Sequence, residues 1–111
     1  MTDAATHARI MLAHNVYFTL KDHSPDAIEH LLSECHKYLK DHPGVAFFAA
    51  GTHNPDLDRP VNDSGFHVAL NVIFETKQHQ DDYQVSETHK QFIAENNENW
   101  QQVRVFDSDV S

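Results

Sequence analysis

Residues 83–92, YQVSETHKQF, place a tyrosine and a histidine on either side of Ser86, which can cap a helix. An imidazole with a pKa of about 6.5 can remove a proton next to a carbonyl group, and a phenol hydroxyl can hold the resulting oxyanion by a hydrogen bond. Tyr83 and His89 are therefore candidates for acid–base chemistry. A structural role is equally open, because a tyrosine near a helix end usually buries its ring and bonds a carbonyl or water.

Length and charge exclude several classes of function. The chain has 111 residues, the length of one domain. Its 17 acidic and 8 basic residues give a formal net charge of -9, which repels phosphate backbones and anionic lipid surfaces. No stretch approaches the roughly 18 apolar residues of a membrane span, and the opening segment lacks a secretion-signal pattern. We expect a cytoplasmic protein that binds neither nucleic acid nor membrane.

The ten histidines do not form a metal-binding pattern. His30, His36 and His42 recur every six residues, which on a helix turns each about 120° from the one before. The sequence contains no HExxH motif and no paired-carboxylate spacing. A single cysteine, Cys35, excludes an internal disulfide and a multi-cysteine zinc site. We therefore expect no metal and no other cofactor.

Patterns in the first half of the chain predict a strand, a helix and a second strand. Residues 10–21 are rich in side chains that suit a strand, and Ser24 and Pro25 are a helix cap and a first helical residue. The Pro-Gly pair at 43–44 ends this helix. The short apolar run 45–51 then predicts a buried strand.

The second half repeats this order after a long loop. Residues 52–65 carry prolines, asparagines and aspartates without periodicity, which predicts a loop that could be a lid or a partner surface. Residues 66–75 alternate strictly and predict a strand. Thr76 and Ser86 can cap two successive helices, and a last strand begins near residue 103.

The order β-α-β-β-α-β predicts an α+β, ferredoxin-like fold, in which a four-stranded antiparallel sheet carries its helices on one face. We expect a single domain at 10–108 after a flexible extension at 1–9. The opposite face of the sheet mixes polar and apolar side chains, and a second copy packed sheet against sheet would cover it symmetrically. We therefore expect a homodimer. The residues expected at its interface are Tyr17, His67, Asn71, Ile73, Arg104 and Phe106.

The helix-facing side of the sheet could also line an apolar pocket between helices and sheet. Such a pocket would suit a small apolar ligand, such as a fatty or polyketide chain. Any small core would need the same positions, so both interpretations stay open. The candidate ligand-binding residues are Phe18, Leu31, Leu32, Cys35, Leu70, Val72, Val103 and Val105.

Four segments together resemble the stress-responsive dimeric α/β-barrel (Dabb) family. They are HNVYFTLKD in the first strand, GFHVALNVIFET in the third, YQVSETHKQF, and the ending WQQVRVFDS. The resemblance extends from His14 to Asp107. It implies a ferredoxin-like protomer, an obligate dimer that forms an α/β barrel, and expression linked to stress. Most members of this family have no established biochemical activity.

A minority of the family are enzymes. These are the plant polyketide cyclases, such as olivetolic acid cyclase, which close a linear polyketide by aldol condensation without a metal. By position, the resemblance implies a catalytic base at His89, a hydrogen-bond donor at Tyr83 and a further site histidine at His14. This chain departs from the cyclase pattern at Val68, where a histidine is usual. It departs again at 86–87, where a histidine and a proline are usual.

Three hypotheses of different classes follow from these patterns, namely a structural or interaction protein, a binder of small apolar molecules, and an enzyme. The principal one is a stress-associated dimer of undetermined activity, acting as a structural protein or as a binder of a small apolar ligand. The alternative is a cofactor-independent enzyme of the cyclase or small monooxygenase type. A ligand-sized cavity facing His89 and Tyr83 would favour binding or catalysis, whereas close packing of both rings would favour a structural role.

Overall fold

A computed structural model describes residues 10–111, and the predicted extension at 1–9 lies outside the described residues. The described chain contains four strands, three α-helices and one short 3-10 helix. Their bounds are β1 (Met11–Leu20), α1 (Pro25–Leu39), β2 (Val45–Thr52), β3 (Val68–Phe74), α2 (Lys77–Gln84), α3 (Glu87–Asn96), the 3-10 helix (Asn97–Asn99) and β4 (Trp100–Val110). No helix of this described part is long and apolar enough to cross a membrane.

The strands form one antiparallel sheet in the order β2-β3-β1-β4. The central strands β1 and β3 pair with each other, β4 flanks β1, and β2 flanks β3. This order and the three helices confirm the predicted ferredoxin-like fold. The helices cover one face of the sheet, and the other, which we call the open face, carries no helix of residues 10–111.

The three predicted helix caps are present and define where each helix begins. Ser24 and Thr76 each accept a hydrogen bond from the backbone N–H three residues later. Ser86 Oγ accepts one from the N–H of His89 at 3.2 Å. Each cap satisfies an otherwise unpaired N–H and contributes about 1 kcal/mol to helix stability. The cap at Ser86 also holds the backbone of His89.

Alternation along β3, and along β1 from His14 to Leu20, places one side of each strand under the helices. Full burial of a large aliphatic or aromatic side chain contributes about 1.5–3 kcal/mol, so this layer dominates the stability of the domain. The buried apolar core consists of Leu12, Val16, Phe18, Leu20, Leu31, Cys35, Leu39, Val68, Leu70, Val72, Phe74, Tyr83 and Phe92.

The two edge strands are less covered than the sequence predicts. The prediction of a buried second strand is wrong, because β2 lies at one edge of the sheet, where Ala46 and Phe47 are exposed. At the other edge, Val103 and Val105 face the helix side but remain 38% and 49% exposed. The helices pack over β1, β2 and β3, so the β4 edge of that face is left open.

The tight turn between α1 and β2 packs against α2. Gly44 has a φ of +86°, and no non-glycine residue of the described chain has a positive φ. Its carbonyl accepts a hydrogen bond from Glu75 N–H at 2.8 Å. A Cβ at this position would lie 2.1 Å from Cγ of His79 on α2, so both the backbone angle and the close approach require glycine.

Candidate functional site

A cavity of about 410 Å³ opens between α2, α3 and the β1–β4 side of the sheet. This volume is within the range of small-molecule sites. Its polar lining consists of His14, Gln80, Tyr83, Gln84, His89 and Asp107. Its apolar lining consists of Val16, Phe18, Leu39, Leu70, Phe92, Ile93, Trp100, Val103 and Val105.

The break between α2 and α3 brings Tyr83 and His89 together. Tyr83 lies in the last turn of α2 and His89 in the first turn of α3. Ser86 joins the two turns, because its hydroxyl donates to the Tyr83 carbonyl at 2.8 Å and accepts from the His89 N–H. The two ring centroids are 4.7 Å apart, with the planes at 61°. The local sequence alone therefore creates this pair.

Tyr83 is almost completely buried, with 1% of its surface exposed. Its ring contacts those of His14, His42 and Phe74 at centroid distances of 5.9, 5.5 and 4.9 Å. Its hydroxyl has no hydrogen-bond partner among residues 10–111. Burial, with a smaller contribution from Cys35, raises the pKa of this hydroxyl well above its ordinary value. The phenol therefore stays protonated at neutral pH and can donate a hydrogen bond.

His89 is half-buried, and its Nδ1 also lacks a hydrogen-bond partner in the described part of the chain. Burial lowers the pKa of this imidazole, and the nearby His14 and His42 lower it further. Because the ordinary pKa is about 6.5, the ring is neutral at pH 7. A neutral imidazole has one nitrogen lone pair that can accept a proton.

His14 is buried and forms a hydrogen bond with Asp107 that the sequence patterns did not identify. Its Nδ1 donates to Oδ1 of Asp107 at 2.5 Å. The two residues face each other because β4 pairs with β1 in the register that sets Asp107 opposite His14. The acidic ending DSD is typical of a solvated strand end. One sequence feature did indicate that Asp107 could reach the pocket. Asp107 alternates with Val103 and Val105 and therefore lies on the same side of β4 as these two residues.

The predicted pocket residues separate into two groups. Four of them line the cavity, namely Phe18, Leu70, Val103 and Val105. The other four lie elsewhere, since Leu31, Cys35 and Val72 are packed in the core and Leu32 is half-buried on α1. Burial, with a smaller contribution from Glu34, raises the pKa of the Cys35 thiol to about 12, which excludes a thiolate at neutral pH.

Two aromatic residues of the wall, Phe92 and Trp100, were not predicted as pocket residues. The Trp100 ring lies 5.0 Å from Phe18 and 5.7 Å from Phe92, measured between ring centroids. These three rings form an apolar wall. Their proximity depends on pairing of β1 with β4, which joins Leu20 to Trp100 across the sheet.

The residues predicted at a dimer interface lie together on the open face. Tyr17, Asn71, Ile73 and Arg104 are half-buried, and Phe106 is 54% exposed. A second cavity of about 320 Å³ on this face is lined by Tyr17, Asp63, Phe66, Arg104 and Phe106. His67 is also half-buried, but its ring forms a hydrogen bond within the chain. Among residues 10–111, no group of three or more His, Cys, Asp or Glu side chains is arranged to hold a metal.

Most of the chain matches the model of one protein family. Residues 12–110 match the family model described as Stress responsive A/B Barrel Domain, or Dabb. No curated protein matches the chain.

Solved structures share the fold at low sequence identity. A Dabb family protein with a ferredoxin-like fold from Mesorhizobium loti has a TM-score of 0.74 at 22% identity, covering 90% of this chain and 96% of that one. A hydroxynitrile lyase from Passiflora edulis has a TM-score of 0.74 at 16% identity, covering 91% and 94%. A dimeric ferredoxin-like protein of unknown function from Thermobifida fusca has a TM-score of 0.74 at 15% identity, covering 93% of each chain.

Because the Tyr83 hydroxyl has no hydrogen-bond partner among residues 10–111, the effect of its removal on stability can be predicted. Removing it by Tyr83→Phe breaks no hydrogen bond to residues 10–111, so the free energy of unfolding in urea should stay within about 1 kcal/mol of the parent or rise. Tyr38→Phe is the matched control, because the Tyr38 hydroxyl donates to the Glu95 carboxylate at 2.9 and 3.0 Å. A loss above about 2 kcal/mol in Tyr83→Phe would show that its hydroxyl has a structural partner.

Proposed function

Since this chain belongs to the family of stress-responsive A/B barrel domains, we propose that it acts as a homodimer that binds a small, largely apolar molecule beside Tyr83 and His89. One observation carries this proposal. A ligand-sized cavity with aromatic and aliphatic walls includes a buried tyrosine whose hydroxyl has no partner among residues 10–111. Family membership by itself fixes no reaction.

The lining indicates the chemistry of the ligand. The rings of Phe18, Phe92 and Trp100 favour an apolar body, since each methylene removed from water contributes about 0.8 kcal/mol. The protonated hydroxyl of Tyr83 favours an acceptor such as a carbonyl oxygen. The net charge of -9 and the Asp107 carboxylate at the cavity disfavour an anionic ligand. A neutral ketone or ester with an apolar substituent meets these conditions.

Trp100 provides a direct measurement, because it lines the cavity and the chain has no other tryptophan. We expect acetophenone to change its fluorescence at a lower concentration than ethylbenzene, which has the same ring but no acceptor. Tyr83→Phe should weaken acetophenone binding roughly fivefold to tenfold, the effect of one hydrogen bond, and leave ethylbenzene binding unchanged. Tyr38→Phe should bind both as the parent does. Equal weakening of both ligands, or no response to either, would contradict the binding proposal.

The arrangement of His89 and Tyr83 favours a second candidate function, a cofactor-independent cyclase-type enzyme. In this reaction His89 takes a proton from the carbon next to a carbonyl, and Tyr83 stabilises the enolate oxygen by a hydrogen bond. The enolate carbon then bonds to a second carbonyl carbon of the same molecule. The resulting alkoxide takes the proton back from the His89 imidazolium. Asp107 would position His14 beside the pair.

Val68 is the structural departure from a cyclase. It lies fully buried in β3, at the position where the cyclase pattern has a histidine. Two histidines, His14 and His89, therefore remain beside Tyr83 on the cavity lining. The enzyme candidate therefore depends on His89 as the base, on Tyr83 as the hydrogen-bond donor and on His14 beside them.

Deuterium exchange separates catalysis from binding. If His89 acts as a base, the parent should exchange the methyl protons of acetophenone in D₂O near neutrality faster than buffer, as followed by NMR. His89→Ala should lower this rate about 100-fold or more, and Tyr83→Phe about tenfold or more. Exchange no faster than buffer in the parent, with Trp100 fluorescence still reporting binding, would contradict the enzyme and retain the binder.

The open face supports the homodimer. Tyr17 packs edge-on against Phe66 and Phe106 at centroid distances of 5.1 and 5.9 Å, and these rings remain partly in contact with solvent. A standard interface buries about 800 Å² on each partner, an area that one face of a small sheet can supply. A two-fold axis would place the same residues of both copies against each other. The Thermobifida fusca structure of this fold is described as dimeric.

A single charge should disrupt that interface. In Phe106→Glu, a carboxylate would be buried without a partner, so sedimentation equilibrium at micromolar concentration should show monomer where the parent shows dimer. Val85→Glu is the matched control, because Val85 is exposed between α2 and α3, away from the sheet. A monomeric parent at this concentration, or dissociation caused equally by both variants, would refute the sheet-face dimer.

A further inference from the structure

The loop 53–67, between β2 and β3, is attached to the sheet by side-chain and backbone contacts. Near its middle, Asp63 forms an ion pair with Arg104 of β4. At its end, Nδ1 of His67 accepts a hydrogen bond from the backbone N–H of Leu20 at 3.0 Å. This second contact joins the loop to the last residue of β1. Two further hydrogen bonds hold the same end of the loop without the His67 ring, from the His67 backbone N–H to the Phe18 carbonyl at 2.8 Å and from the Thr19 hydroxyl to the Gly65 carbonyl at 2.5 Å.

The contact between His67 and Leu20 requires a neutral ring. Because the Leu20 N–H is a donor, Nδ1 of His67 must carry a lone pair. A protonated imidazole carries N–H groups on both nitrogens, so it would place a donor against a donor. Protonation therefore removes this hydrogen bond and replaces it with repulsion.

The surroundings of His67 oppose a positive charge. His23, from the turn after β1, stacks on its ring with centroids 4.6 Å apart and planes at 16°. His53 faces it from the other end of the loop, and its backbone N–H donates to the His67 carbonyl. None of the ion pairs among residues 10–111 includes His67. A charge here would meet two imidazoles and no carboxylate.

We propose that His67 is an acid-sensitive clasp, whose ring joins the end of the loop 53–67 to the Leu20 backbone when neutral and loses this contact when protonated, while the backbone hydrogen bond of His67 to Phe18 persists. Phe66, the preceding residue, covers Tyr17 on the open face. Loss of the clasp would therefore weaken the attachment of the loop next to this aromatic contact. The proposal does not depend on the ligand.

The pH range of the clasp follows from the direction of the shift. Burial, with His23 and His53, lowers the pKa of His67 in the folded chain below its ordinary value of about 6.5. The unfolded chain then binds more protons just below that pH, so the clasp contributes fully above about 6.5 and is lost as the pH falls further. Hydrogen bonds from Arg104 lower the pKa of Asp63, so the ion pair persists to more acidic pH.

NMR of the parent protein tests the clasp without any substitution. The ring of His67 should titrate below pH 6.5, and the Leu20 amide shift should move with the same midpoint. Below that midpoint, protection of the Leu20 amide against hydrogen exchange should fall roughly fivefold to tenfold, the effect of one hydrogen bond. Titration of His67 with no change at Leu20 would overturn the proposal.

Two variants sharpen the test. His67→Asn places a non-titrating Oδ1 where Nδ1 lay, so the Leu20 amide should stay protected and lose its pH step. His23→Ala removes the stacked imidazole, so the midpoint for His67 should rise. His30→Asn, on the exposed side of α1, is the control and should leave the Leu20 profile unchanged. A pH step at Leu20 that survives in His67→Asn would contradict the clasp.

Discussion

Burial of one face of the β1–β3 pair under the helices is the interaction on which the rest of the structure depends. Leu70, Val72 and Phe74 alternate with half-buried residues along β3, and β1 repeats this pattern. At about 1.5–3 kcal/mol for each fully buried large side chain, this layer is the main source of stability in a thin domain. It also determines which residues remain for the open face, because neighbouring residues of a strand point to opposite sides.

The cavity lies where this layer of helices ends. Over the β4 edge no helix of residues 10–111 completes the layer, so Val103 and Val105 keep contact with solvent although they face the helix side. Beside this gap the chain retains a tyrosine hydroxyl without a partner in residues 10–111, which costs about 1–3 kcal/mol. This cost is a large fraction of the total stability of a domain, which is about 5–15 kcal/mol. Packing alone therefore gives little reason for a tyrosine at this position. Sites that bind or react commonly show this conflict with local packing rules.

The open face is organised by polar contacts rather than by a core. Arg104 is bound by Asp63 from the long loop, and His67 binds the end of β1, so the loop is attached to the same strands that form the cavity wall on their other side. The two attachments differ in the charge they require. An ion pair needs an ionised carboxylate, whereas the contact of His67 needs a neutral imidazole, and the two therefore respond to acid in separate ranges.

The sequence by itself determined the features that depend on neighbours a few residues apart. The order of elements, the caps at Ser24, Thr76 and Ser86, and the approach of Tyr83 to His89 are local, because backbone propensity and capping act within one or two turns. Only the tertiary structure decided that β2 is an exposed edge strand and that Asp107 lies against His14, 93 residues away. Such contacts depend on strand order and register, and alternation shows which side a residue takes without showing which strand will lie beside it.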